Sequence, residues 1–165
     1  MRHVTLAALV YVALATPAGA QTTDAALMAP IQKFVDSFNK GDATGALATH
    51  AASADLVIVD EVPPFIWHGA TAFQAWSSAL DSESKKQGIS DESVTLGRAT
   101  RTESAGDQAY VIVPAVYNFK QRGMAMRETA QMTFVLKKSG NGSWLIHGWT
   151  WTGPKPEASS TAATP

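Results

Sequence analysis

A chain of 165 residues, 45% hydrophobic and 16% charged, has the size and composition of one globular domain with a real core. Its formal charge of −1, with no block of like charges, excludes the basic footprint of a nucleic-acid binder. The absence of cysteine excludes disulfides, thiolate metal sites and a cysteine nucleophile.

Arg2 and the free amino group make a short positive start, residues 4–15 are an uncharged apolar run, and Pro17-Ala18-Gly19-Ala20 ends in a small-x-small site. This layout predicts a signal peptide over residues 1–20, cleaved after Ala20, and hence a periplasmic or secreted protein. The apolar run is well short of the roughly 20 residues of a spanning helix, so no membrane span is expected after cleavage.

Asp24 is placed to cap a helix in which Leu27, Ile31, Phe34 and Phe38 recur at helical spacing. Gly41 ends it, and Asp42 caps a shorter second helix toward His50. Residues 56–59 form a β-rich run that finishes in Asp60-Glu61. Pro63-Pro64 then imposes an extended segment through Trp67 and His68 to Gly69. Residues 70–80 read as a helix with Phe73, Trp76 and Leu80 on one face, and its polar continuation stops at Gly88.

The remainder is β. One strand spans residues 94–102 and a second spans 109–120, where Pro114 signals a bulge or an edge. A turn at Arg122-Gly123 leads into a third, in which Met124, Met126, Ala130, Met132, Phe134 and Leu136 alternate with polar residues, Glu128 being the one acid among them. Pairing Gln121 with Met124 sets Tyr117 opposite Glu128 and Val113 opposite Met132. Residues 139–142 turn the chain into a last strand over 144–151. Pairing Lys138 with Ser143 would set Phe134 opposite His147 and Met132 opposite Trp149. The tail over 153–165 is small, polar and proline-containing, and is expected to be disordered. Helices first and a long meander afterwards predict a single α+β domain over 21–152, a strongly curved antiparallel sheet wrapped around the first helix to leave an open cone.

A carboxylate between Met126 and Ala130 must be paired, protonated or solvated by a pocket, which makes Glu128 the sharpest candidate. Asp60 and Glu61 are neighbours at a strand end and should point to opposite sides, so one of them enters the cone. Phe34, Phe38, Trp67, Tyr117, Met132, His147 and Trp149 supply a lining suited to a small apolar or aromatic molecule. No two histidines lie at metal-ligand spacing, and there is no glycine-rich phosphate loop, G-x-S-x-G elbow or H-E-x-x-H, so neither metal nor cofactor is expected.

The stretches IQKFVDSFNKGDATGALA, ADLVIVDEVPPFIWHGATAFQAW, GDQAYVIVPAVYNF and GSWLIHGWTW resemble the nuclear transport factor two-like superfamily, within it the bacterial SnoaL-like and ketosteroid-isomerase-like branches. The resemblance implies a cone-shaped α+β fold, a deep pocket and a homodimer formed through the sheet. Isomerases of that branch hold an oxyanion with a helix tyrosine and a protonated sheet aspartic acid, and shuttle the proton with an aspartate after the first strand. Here Phe34 stands at the tyrosine position and Asp60 at that of the base, and the sheet acid has no direct match, although Glu128 could act from a neighbouring strand. Three functions follow as expectations. The first is an exported binder of a small apolar molecule. The second is a cofactor-independent acid–base enzyme (isomerase, dehydratase or cyclase) with Asp60 as base and Glu128 as donor. The third is a non-catalytic dimerisation or partner-binding module.

Overall fold

The computed structural model describes residues 18–159, with side chains from residue 25 onward; residues 1–17 of the expected leader and 160–165 of the tail lie outside it. Helix α1 (Ala18–Asn39) starts ahead of Asp24, which therefore lies within the helix rather than capping it. Its stripe of Leu27, Ile31, Phe34 and Val35 is buried. Helix α2 (Ala43–Leu47) is capped by Asp42, whose Oδ1 accepts the Gly45 N–H at 2.8 Å. Helix α3 (Ala72–Gln87) ends at Gly88, whose φ of 68° is the left-handed geometry that glycine closes a helix with. Among the described residues, no helix is long and apolar enough to cross a membrane.

The sheet is built on one long hairpin, β5 (Gln108–Gln121) and β6 (Met124–Lys138), turned by Arg122 and Gly123 with φ of 50° and 85°. Its register is the expected one: Gln121 opposes Met124, Tyr117 opposes Glu128 and Val113 opposes Met132. Along the other side of β5 the expected single strand over 94–102 is two: β3 (Ile89–Leu96) and β4 (Arg101–Ala105). Pro114 has no N–H to offer there, so Gly97 and Thr100 bond instead to the carbonyls of Pro114 and Ile112, and the row breaks between them.

On the far side of β6 lies β7 (Trp144–Thr152), and its register departs from the expected one. Lys138 pairs with Trp144, not Ser143, because the loop over 139–143 spends one more residue on a turn held by the Asn141 side chain. A bulge at His147 adds a second offset, so Leu136 faces Ile146 while Phe134 faces Trp149 and Met132 faces Trp151. That extra residue reverses the in–out alternation, which lets Ile146 and Trp149, an odd number apart, both turn inward.

Strand β1 (Val57–Val59) pairs antiparallel with β2 (Ile66–His68) and parallel with β7, so the sheet is mixed rather than wholly antiparallel. Nothing forbids the parallel pair, since strand β2, helix α3 and the meander separate these strands in the chain. The tail is ordered as far as it is described: β8 (Glu157–Ala158) pairs with Met126 and Arg127 of β6, where disorder was expected. Backbone pairing supplies the order that composition lacks.

The result is an α+β cone, with α1 and α3 packed in the concave side of a curved sheet. Val111, Val113, Phe134, Leu136 and Ile146 from the sheet meet Leu27 and Ile31 from α1 in its dry base. Near the wide end Asn39 clamps β3, its side chain exchanging two 2.8 Å hydrogen bonds with the Val94 backbone.

Candidate functional site

Past that packed base the cone opens into a cavity of about 110 Å³. Phe34, Val35 and Phe38 of α1 form one wall and Trp76 and Leu80 of α3 another. The sheet contributes Val94, Tyr117, Glu128, Met132, Trp149 and Trp151, and the segment after β1 contributes Asp60, Glu61 and Val62.

Asp60 is fixed from two sides. Its Oδ2 accepts the Trp76 indole N–H at 2.5 Å and its Oδ1 accepts the Glu61 backbone N–H at 2.7 Å. Burial pushes its carboxyl above the usual range, and these two donors hold it back. Glu61 also reaches the cavity, contrary to the expectation that only one of the pair could. Strand alternation ends with β1 at Val59, and the two acids sit instead on a loop closed by the Asp60 N–H to Phe65 carbonyl bond of 3.1 Å.

Glu128 is 3% exposed, and its Oε1 accepts the Trp151 indole N–H at 2.6 Å. Burial raises its pKa, the Trp151 indole N–H opposes that, and the charge of Asp60 adds to it, while the Glu61 carboxyl lines the same cavity. Gly153 passes so close that a Cβ built there would run into Glu128 Oε1 and stand 3.0 Å from the Ala130 Cβ. Glu61 itself is pushed up to about 7, by burial first and then by the charges of Glu128 and Asp60. A carboxyl raised in the fold above its unfolded value of 4.5 holds its proton tighter when folded. Its stabilising contribution is therefore complete below 4.5 and is lost as pH rises through about 7. We expect Glu61→Gln to gain melting temperature relative to the parent between pH 4.5 and 8; a pH-independent difference would mean that Glu61 titrates alike in both states.

The Tyr117 phenol is raised by burial first and then by the charge of Glu92. It therefore remains a neutral donor–acceptor at the cavity wall. Trp149 stands edge-on to Trp76, ring centroids 4.9 Å apart, and 5.7 Å from Phe34. Its indole N–H reaches His50 Nε2 at 3.1 Å, while His50 Nδ1 lies 3.0 Å from the Ala46 carbonyl. Together these fix the neutral tautomer with its proton on Nδ1.

Of the residues expected from sequence, Asp60, Glu128, Phe34, Phe38, Tyr117, Met132 and Trp149 meet around this one cavity. Trp67 and His147 do not. Trp67 is buried in the core opposite Ile58, and His147 is the bulged residue, displaced from the face that holds Trp149. Trp76, read from its helical spacing as core, also lines it; Glu61 enters together with Asp60 rather than instead of it; and Trp151, expected on the inner face opposite Ala130, is there at a shifted register. With the bulge counted, Trp151 opposes Met132, and its place on the wall follows. Among the described residues, no group of three or more His, Cys, Asp or Glu side chains is arranged to hold a metal ion.

The fold is shared with solved structures. One is a nuclear transport factor 2-like superfamily protein from Salmonella enterica serovar Typhimurium, with a TM-score of 0.68 at 15% identity over 89% of this chain and 100% of the other. Another is a ketosteroid isomerase-like protein from Erwinia carotovora, with a TM-score of 0.62 at 19% identity over 80% of this chain and 96% of that one. A hexachlorocyclohexane dehydrochlorinase superposes with a TM-score of 0.67 at 11% identity, covering 88% of this chain and 95% of its own. No family model and no curated protein matches the sequence. Identities this low carry the fold and leave the activity open.

Proposed function

We propose that this chain is an exported small-molecule-binding protein whose cone takes a mostly apolar guest, with Asp60 and Glu128 as polar anchors. The observation that carries the reading is the cavity of about 110 Å³, aromatic on most sides and met by three carboxyls. An apolar, concave site with a few convergent polar groups is the usual form of a ligand pocket. Export rests on the leader pattern of residues 1–20. A homodimer through the outer face of the sheet belongs to the same proposal. The supporting feature is the exposed cross-strand pair Tyr110 and Val135, 36% and 45% accessible.

Native mass spectrometry of the protein purified unrefolded from its own cells tests this reading. A retained small molecule is the expected result, and an empty protein that takes up nothing from an apolar ligand panel would overturn it.

A second reading is favoured by the carboxyls of Glu61 and Glu128, which line one cavity together with Asp60. Glu61, pushed up to about 7, holds a proton near neutrality, and burial raises Glu128 as well, while Asp60 is supported as an anion by two N–H donors. Acid–base chemistry without a cofactor would then use Asp60 as base and Glu128 as donor. Under this reading Glu128→Gln abolishes turnover of a bound substrate and leaves its binding nearly intact.

A further inference from the structure

The charges on the cavity do not balance. Asp60, Glu61 and Glu128 meet there, and Glu92 stands behind Tyr117 from β3. The elements facing them bring no base: α1 offers Phe34, Val35 and Phe38, α3 offers Trp76 and Leu80, and β7 offers Trp149 and Trp151. Among the described residues the lysines and arginines that form ion pairs do so elsewhere, with Asp81, Glu83, Glu103 and Asp91. Glu128, nearly all of it buried, receives one N–H donor, the Trp151 indole, and shares its cavity with the carboxyls of Asp60 and Glu61. Carboxyls gathered on one cavity are acceptors when ionised and bring no cation of their own. A buried acid so placed lacks the cation or the set of donors that normally offsets its desolvation.

We propose that the cavity is built for an organic monocation, a protonated amine or quaternary ammonium on an apolar body. Its charge would lie against Glu61 and Glu128 and its body among the rings. This inference rests on the pocket reading above and names the class of its ligand. Two independent features converge on it. The carboxyls supply the counter-charge, and they are not arranged to hold a metal ion. The rings of Phe34, Trp76, Tyr117, Trp149 and Trp151 supply π faces, which attract a cation most strongly where water is excluded. A neutral guest of the same shape would use the rings and leave the acids uncompensated.

The test is a matched pair of probes, phenyltrimethylammonium and its neutral isostere tert-butylbenzene, titrated at pH 8 into the full protein while the indole N–H resonances of Trp76 and Trp151 are followed. The expected result is that the cation binds at least tenfold more tightly, and that Glu61→Gln narrows this ratio. Equal or tighter binding of tert-butylbenzene would overturn the cation assignment and leave the pocket standing. If neither probe moves the indole resonances at millimolar concentration, the pocket reading falls and the cation assignment falls with it.

Discussion

Replacing Trp149 by alanine is expected to cost about 3–5 kcal/mol, the range for removing a large buried aromatic side chain. Trp149 is 3% exposed and packs against both Phe34 and Trp76, so it is where α1, α3 and the sheet meet. Its removal would also leave His50 Nε2 without a donor. Against a typical total of about 5–15 kcal/mol, the loss is a large fraction of the stability. It should lower the melting temperature by roughly 10 °C or more for a chain of this size. Trp149→Phe keeps one ring in place and loses the indole bond and part of the ring volume, so it should cost less than the alanine variant. Calorimetric melting of the three proteins measures both effects. A loss below about 1 kcal/mol for the alanine variant would show that this wall of the cavity is not packed.

His50 makes the protein sensitive to acid. Burial lowers its pKa from 6.5 to about 4, only partly opposed by the Ala46 carbonyl. A base whose pKa is depressed in the fold is held neutral there, so its contribution is complete above 6.5 and drains away as pH falls toward 4. At 1.36 kcal/mol per unit the loss amounts to about 3 kcal/mol. The raised carboxyls of the cavity act in the opposite sense across part of that window, which makes the wild-type profile alone ambiguous. The difference between wild type and His50→Gln removes them, because they are common to both, and glutamine can still accept from Trp149. Urea midpoints at pH 7.5 and 4.5 should show wild type losing stability relative to the variant by about 2.5 kcal/mol, most of the full loss, because pH 4.5 still lies above the folded value. Parallel profiles would place His50 in contact with water.

Much of this was legible in the sequence where a single local rule governs. The β5–β6 register followed from period-two patterning on both sides of a short turn, and it set Tyr117 opposite Glu128 correctly. The capping of α2 by Asp42 and the stop of α3 at Gly88 followed equally directly. The errors arose where the local period changes. One bulged residue, His147, took itself off the inner face and moved Trp151 into line with Met132, which no alternation rule foresees. Asp60 and Glu61 were read as strand neighbours, yet the strand stops at Val59, and Glu61 was lost from the site in consequence. Trp67 looked like a pocket ring because it lies near the prolines, but its pairing with Ile58 commits it to the core. The partnership of His50 with Trp149 spans 99 residues of chain and leaves no local trace.

The short strand β8 has a bearing on solubility. Strand β7 covers β6 only from Gln131 to Lys138, and β8 then takes up Met126 and Arg127 farther along the same edge. Without the segment after Thr152, that stretch of β6 would present free N–H and C=O groups next to Met124, already 59% exposed. An open edge flanked by methionine is a template on which a second molecule can add a strand, the first step of aggregation. The tail thus acts as an edge guard. Its polar, proline-containing sequence suits that duty, since it can satisfy the groups beneath it and offers a poor surface for the next chain.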